Sequence, residues 1–242
     1  MADYLKLYKT QEDYNAESDK PTVAHIIEDV GIEFDLPDDR LICYFDVIST
    51  SSPTPIMKWS GYYGGDNAFT EIEIDGVVQP ELVSAYTFST LGTHVVKYRL
   101  KTPTVIPTYS LSSCKRMTKA IIPNTVTNLS YCCFQYNNNL REVIIPEGVK
   151  EFGDEVFGNT GIKSIELPST TYWFTVQPFD KCYYLQSLII KATTPPILAG
   201  NSMLFEDSNT WTKIYVPAES VNTYKTIGRH WDKYYSRIYP IE

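Results

Sequence analysis

Few residues in this sequence could do chemistry, and their spacing argues against most of what they could do. His25, His94 and His230 stand far apart, each among strand-forming or aromatic residues. A lone imidazole in such surroundings serves structure more often than ligation. The five cysteines (Cys43, Cys114, Cys132, Cys133 and Cys182) lack the ligand spacing and companion histidines of a zinc site. Asp35, Asp38 and Asp39 cluster, but without the alternating oxygen ligands, the glycine and the closing glutamate of a calcium loop. They read as a solvated turn. Glu71 and Glu73 alternate as carboxylates do on a wet strand face, whereas carboxylate catalysis needs two groups held over a cleft. The sequence has no nucleophile elbow, phosphate-cradling glycine loop or zinc signature. The expectation is a protein that is not an enzyme, with no cofactor and no metal.

What remains is the chemistry of contact. Nineteen tyrosines exceed the needs of a core this size, which leaves two uses for the surplus: recognition surfaces or strand propensity. The loop WSGYYGGDN sets Trp59, Tyr62 and Tyr63 among glycines, a paratope-like mixture of contact area and adaptable backbone. The alternative is a hairpin whose rings fold back onto their own module. A net charge of −8 argues against nucleic acid, where Lys and Arg must neutralise phosphates, and against an anionic membrane surface. No apolar run reaches the roughly 18 residues that span a bilayer. The opening MADYLKLYKTQEDYN has no apolar signal core, so with Met1 as the start no conventional signal peptide is expected. An odd cysteine count agrees with a reducing compartment, or at least with no disulfide framework.

The elements that must position these side chains are dominated by a repeat. MTKAIIPNTVTNLSYCCF, LREVIIPEGVKEFGDEVF and IKSIELPSTTYWFTVQPF place prolines at 123, 146 and 168, each followed eleven positions later by Phe134, Phe157 or Phe179. Lys191 takes the proline slot in LQSLIIKATTPPI, and Pro217 restores it in WTKIYVPAESV. Units of this length stack into a solenoid, since one alone cannot bury its apolar face. Six, three and one residues before the slot the side chains are apolar: Met117, Ala120, Ile122; Leu140, Val143, Ile145; Ile162, Ile165, Leu167; Leu185, Leu188, Ile190; Trp211, Ile214, Val216. Strand alternation puts the last two of each set on one core face. Nine before the slot runs a ladder of Cys114, Asn137, Asn159 and Cys182, suited to hydrogen-bonding the turning backbone. Lys101 lies one period before Pro123, so the strand VKYRLK is expected to be both the end of the preceding module and the first rung.

The remaining boundaries follow. Residues 1–36 read as an N-terminal docking segment with short strands, 37–100 as a small immunoglobulin-like β-sandwich with an Asp75–Gly76 hairpin turn, 101–217 as the repeats and 218–242 as a cap. In the cap, Tyr224, Trp231 and Tyr235 are placed to cover the last rung. The fold class is mainly β: a short solenoid of about five repeats, capped C-terminally.

The segments ending AIIP, VIIP, IELP and IYVP, each preceded by Cys or Asn and followed by Phe, resemble the BspA-type leucine-rich repeats of gut Bacteroidales and their phages. The tail KIYVPAESVNTYKT…IYPI resembles that family's terminal cap, and YTFSTLGTHVVKYRL the β-module that often precedes the repeats. The departures are Lys101 and Lys191 in proline slots, Thr194 in an apolar slot and an insertion around Gly200–Asn209. The repeat pattern is specific for the fold and weak for function, since one fold hosts many partners.

Two residues before the slot, on the exposed face of the repeat strands, come Ile121, Ile144, Glu166, Ile189 and Tyr215; the neighbouring row is Lys119, Glu142, Ser164, Ser187 and Lys213. A row of outward apolar side chains marks an interaction site or intramolecular packing, and Ile121, Ile144, Ile189 and Tyr215, with Trp59, Tyr62 and Tyr63, are the candidate contacts. The partners expected are other protein chains, by self-association or within a virion, with host protein or surface glycan as the alternative. Two roles stand: a phage virion surface component, assembled in the bacterial cytoplasm, or a BspA-like bacterial cell-surface adhesin.

Overall fold

A computed structural model describes residues 6–8, 24–26, 39–58, 68–199, 203–205 and 211–242. The chain divides into two compact units, Met1–Asp38 and Asp39–Glu242. In the first, β1 (Lys6–Tyr8) and β2 (Ala24–Ile26) pair in parallel. The loop holding Trp59, Tyr62 and Tyr63 lies outside the described residues.

The second unit begins with β3 (Leu41–Val47), β4 (Thr54–Pro55), β5 (Phe69–Ile74), β6 (Val77–Val78), β7 (Ala85–Tyr86) and β8 (Gly92–Leu100). Asp75 and Gly76 both take left-handed φ (48° and 82°), the backbone that lets a two-residue turn follow strand twist, and they close β5 onto β6. In β3 every second side chain is buried (Leu41, Cys43, Phe45, Val47), and in β8 His94, Val96, Tyr98 and Leu100. The small β4–β7 ladder, with Ile56, Met57 and Phe88, covers that inner face. The Tyr98 hydroxyl donates to the Ile56 carbonyl at 2.6 Å, and the Phe88 ring lies 4.4 Å from that of His94.

Two expectations for this region need correction. The module is not a self-contained sandwich: its main sheet is shared with the repeats. Nor does β8 become the first rung. β3 takes that place, antiparallel to β10 (Met117–Ile121), with β8 one strand further out. The repeat upstream of Pro123 supplies only its second strand, β9 (Val105–Ile106), so the edge of β10 is left for β3 to pair. Pairing protects both strands from bonding another chain.

The repeats continue with β11 (Asn128–Leu129), β12 (Glu142–Ile144), β13 (Glu151–Phe152), β14 (Ser164–Leu167), β15 (Trp173–Phe174), β16 (Ser187–Ile190), β17 (Ile197–Leu198), β18 (Lys213–Val216) and β19 (Ile238–Pro240). One parallel sheet runs β9-β11-β13-β15-β17 without interruption. The facing strands form two sheets, β12-β10-β3-β8-β5-β6 and β14-β16-β18-β19. The division falls at Gly161: a Cβ there would lie 1.3 Å from Arg141 Nη1 and 2.4 Å from the Asn138 carbonyl oxygen. That guanidinium sits between the two rungs and donates to the Asn138 carbonyl at 2.6 Å.

Between the two layers lies the core that the repeat alignment implies. Met117, Ala120, Ile122, Leu140, Val143, Ile162, Ile165, Leu167, Leu185, Leu188 and Ile190 are buried; Ile145, beside the division, is only half-buried. Phe134, Phe157 and Phe179 stack in file, with centroids 5.7 and 5.8 Å apart and planes within 16°. Trp211 departs from the alignment. It is 82% exposed, and Thr212 is buried instead, its hydroxyl donating to the Leu185 carbonyl at 2.7 Å. The buried ladder is Cys114, Asn137, Thr160 and Cys182: Asn137 Nδ2 donates to the Leu111 and Phe134 carbonyls, Cys182 Sγ to that of Phe157, and Thr160 Oγ1 lies 3.5 Å from Cys182 Sγ. Asn159 falls one position short of it because the third repeat has 22 residues, not 23. It belongs to a file of left-handed turn residues, Ser113, Tyr136, Asn159 and Lys181, that runs beside a second, Tyr109, Cys132, Glu155 and Gln177.

The tail closes the last rung. β19 pairs with β18, the helix Val221–Thr226 buries Tyr224, and the 3-10 turn Trp231–Arg237 buries Trp231 and Tyr234. Tyr224 donates to the Ala192 carbonyl and Trp231 Nε1 to that of Pro196, both at 2.8 Å. Tyr235 is exposed, and Tyr234 fills the place expected for it.

Candidate binding face

Strand alternation leaves one side of the shared sheet facing outward, and register shows which side chains meet there. Ile121 stands opposite Ile144 on one side and Ile42 of β3 on the other. Beyond the division, Glu166, Ile189, Tyr215 and Tyr239 follow in register. Strands lie about 4.8 Å apart, so these side chains shield each other's flanks. Ile42, Ile121, Ile189 and Tyr215 are half-buried, while Ile144 is 43% exposed. The Tyr215 and Tyr239 rings lie 6.0 Å apart.

Beside this band runs a polar row that holds its own charges. Lys119 bonds Glu142 at 3.0 Å and rests over the Tyr44 ring; Ser187 donates to Ser164 at 2.7 Å; Lys213 lies over Tyr239. Lys191 pairs with Glu166, and that hydrogen bond holds its ammonium above the ordinary lysine range. On the module, Arg40, Lys97 and Arg99 interlace with Glu71, Glu73 and Asp39. The face therefore combines an apolar band with flanks of largely neutralised charge, which suits docking a protein surface better than gripping a polyanion.

The structure pairs Ile121 with Ile144 on one sheet and Ile189 with Tyr215 on the other, with Glu166 between the two pairs. It adds Ile42, Tyr44 and Tyr239, which the repeat alignment alone could not show. The alternation of LICYFDV marks β3 as a half-buried strand, but nothing local in it names β10 as its neighbour. Trp59, Tyr62 and Tyr63 lie outside the described residues.

Among the described residues no three His, Cys, Asp or Glu side chains converge on a metal-sized site. Cys43, Cys114, Cys132, Cys133 and Cys182 are all buried free thiols, and burial pushes Cys182 up to about 11 and Cys132 to about 12. Thiols so raised are poor nucleophiles at neutral pH. His94 is held between the Asp75 carboxylate (2.6 Å) and the Thr90 carbonyl oxygen (3.0 Å), a structural tie across the β5–β6 turn. No described helix is long and apolar enough to cross a membrane.

No curated protein matches the chain. A leucine-rich repeat protein from Bacteroides ovatus, known from a crystal structure, is similar at 21% sequence identity with a TM-score of 0.39; the match covers 44% of this chain. This chain spans 27% of the length of that structure. The profile of the BspA type leucine rich repeat region matches residues 104–229 in six copies, one more than the spacing of the slots implies. That range is just over half of the chain and contains the stacked phenylalanines, the buried ladder of Cys114, Asn137, Thr160 and Cys182, and strands β9 to β18. The chain belongs to the BspA-type leucine-rich repeat family.

Proposed function

We propose that this chain is a non-enzymatic binding protein of the adhesion type, which docks another protein against the outward face of its shared sheet. The observation that carries the reading is the register Ile42–Ile121–Ile144, continued beyond the division and past Glu166 by Ile189, Tyr215 and Tyr239. A soluble scaffold has no need of apolar side chains in file on an outward face, and such files are where proteins meet. The module enlarges this face through β3 and leaves it open. The surface that displays it is a bacterial cell envelope or a virion, the two settings that the sequence resemblance brings.

The test is photo-crosslinking from the folded chain, with a crosslinking residue at position 144 in one preparation and at position 172 in another. Tyr172 is 53% exposed and adjoins the opposite sheet. The reading expects protein adducts from 144 that Ile189→Asp suppresses. Equal adducts from 172 overturn it.

A further inference from the structure

Backbone bonds tie the rungs of the outward face to one another, with one exception among the described residues. Five residues before the slot, the Arg141 N–H donates to the Thr118 carbonyl at 2.9 Å and the Gln186 N–H to the Lys163 carbonyl at 2.8 Å. The same pattern requires Lys163 to donate to Arg141, and that bond is absent. Just before the slot, the Ile122 N–H donates to the Ile144 carbonyl at 3.0 Å, yet Ile145 makes no matching bond to Glu166. β12 and β14 accordingly lie in separate sheets.

The same two repeats are joined elsewhere. On the opposite sheet β13 pairs with β15, and the Tyr172 and Thr175 N–H groups donate to the Lys150 and Phe152 carbonyls at 2.9 and 3.0 Å. At the turns the N–H groups of Glu155, Phe157 and Asn159 donate to the carbonyls of Val176, Pro178 and Asp180 at 3.0, 2.9 and 2.7 Å. Two repeats bonded along one side and parted along the other have the construction of a hinge.

Local sequence supplies the cause. Asn139 Nδ2 donates to the Lys115 carbonyl at 2.7 Å and so ties the second repeat to the first. The third repeat is one residue shorter and presents Gly161, which has no side chain to offer the corresponding Asn138 carbonyl. Arg141 takes that carbonyl instead, its Nη1 donating to Asn138 at 2.6 Å and to the Leu140 carbonyl at 3.3 Å. The guanidinium fills the space over Gly161, where a Cβ would lie 1.3 Å from Nη1. Burial follows the parting. Ile145 is half-buried where its counterparts Ile122, Leu167 and Ile190 are buried, and Ile144 is the most exposed isoleucine of the band.

We propose that the outward face is jointed between the second and third repeats. Arg141 is the wedge that keeps β12 from pairing with β14, and the plates on either side turn against each other about the opposite sheet. Such a joint lets one set of side chains follow partner surfaces of different curvature, and it exists whether or not the face binds a protein.

Residue-resolved amide exchange of the intact chain tests the joint without a partner. Lys163 and Ile145 exchange about tenfold or more faster than their bonded counterparts Arg141, Gln186 and Ile122. In Arg141→Ala the ladder closes: Lys163 slows by about tenfold or more, while Gln186 and Ile122 keep their protection and show that the variant is folded. Spin labels on cysteines introduced at 119 and 187, across the joint, give a broader distance distribution than labels at 164 and 213, within one plate. Equal protection of Lys163 and its counterparts overturns the joint. Unchanged or faster exchange of Lys163 in Arg141→Ala overturns the wedge, and equal distance widths overturn the hinge.

Discussion

Ile42 and Ile121 stand opposite each other across an antiparallel ladder, one in the leading module and one in the first repeat strand. Through that pair the module and the solenoid share a sheet, and the outward apolar band crosses from one to the other. The junction is thus a continuous hydrogen-bonded surface, and breaking it exposes a strand edge on both sides.

Residues 101–242 expressed alone therefore self-associate through the bare edge of β10, while residues 39–242 do not. Size exclusion of the two fragments across a concentration series checks this. A monomeric 101–242 fragment at all concentrations contradicts it.

The stacked phenylalanines set the largest single-residue cost in the repeats. Phe157 is fully buried between Phe134 and Phe179, so Phe157→Ala lowers stability by about 3–5 kcal/mol. Tyr183→Ala, on an exposed side chain, stays within about 0.5 kcal/mol. Denaturant titration of both variants gives the comparison.

Backbone conformation makes a prediction of opposite sign. Gln177 takes φ 54°, a region where a Cβ is strained and glycine is not. Gln177→Gly raises stability by about 0.5–1 kcal/mol, whereas Gln177→Val lowers it by about 1–2 kcal/mol. Thermal melts of the pair decide; a destabilised glycine variant would show that the Gln177 side chain holds the turn.

Burial raises the folded-state pKa of the thiols, Cys182 to about 11 and Cys132 to about 12, with Cys43, Cys114 and Cys133 also raised. The unfolded chain ionises from the ordinary value near 9. A raised folded pKa contributes stability that is whole below that value and is lost as pH climbs toward 11 and 12, because the unfolded state releases its protons first. The melting temperature accordingly falls between about pH 8 and about pH 10. At neutral pH a thiol reagent leaves the folded protein unmodified and labels all five cysteines once it is denatured. Fast labelling of any one in the native state contradicts the buried assignment.

Much of the solenoid was legible in the sequence because its information is local and repeated. The interval from proline to phenylalanine gives the period, and alternation before each slot names the core face. Three features were hidden for physical reasons. Trp211 and Thr212 exchange places after the insertion, where the repeat length no longer constrains which residue faces inward. Asn159 and Thr160 differ by one position in a shortened repeat. The pairing of β3 with β10 joins residues some seventy positions apart, and no short-range pattern encodes it. That pairing supplies Ile42 and Tyr44 to the proposed face, so the outward band was legible only as far as the repeats reach.

The most direct test of the account is the photo-crosslinking comparison between positions 144 and 172. Adducts with a partner protein that form from 144, vanish with Ile189→Asp and are absent from 172 are the predicted result. Adducts that form equally from 172, or that persist through Ile189→Asp, would place recognition elsewhere and contradict the claim that the outward face of the rung strands is the binding face.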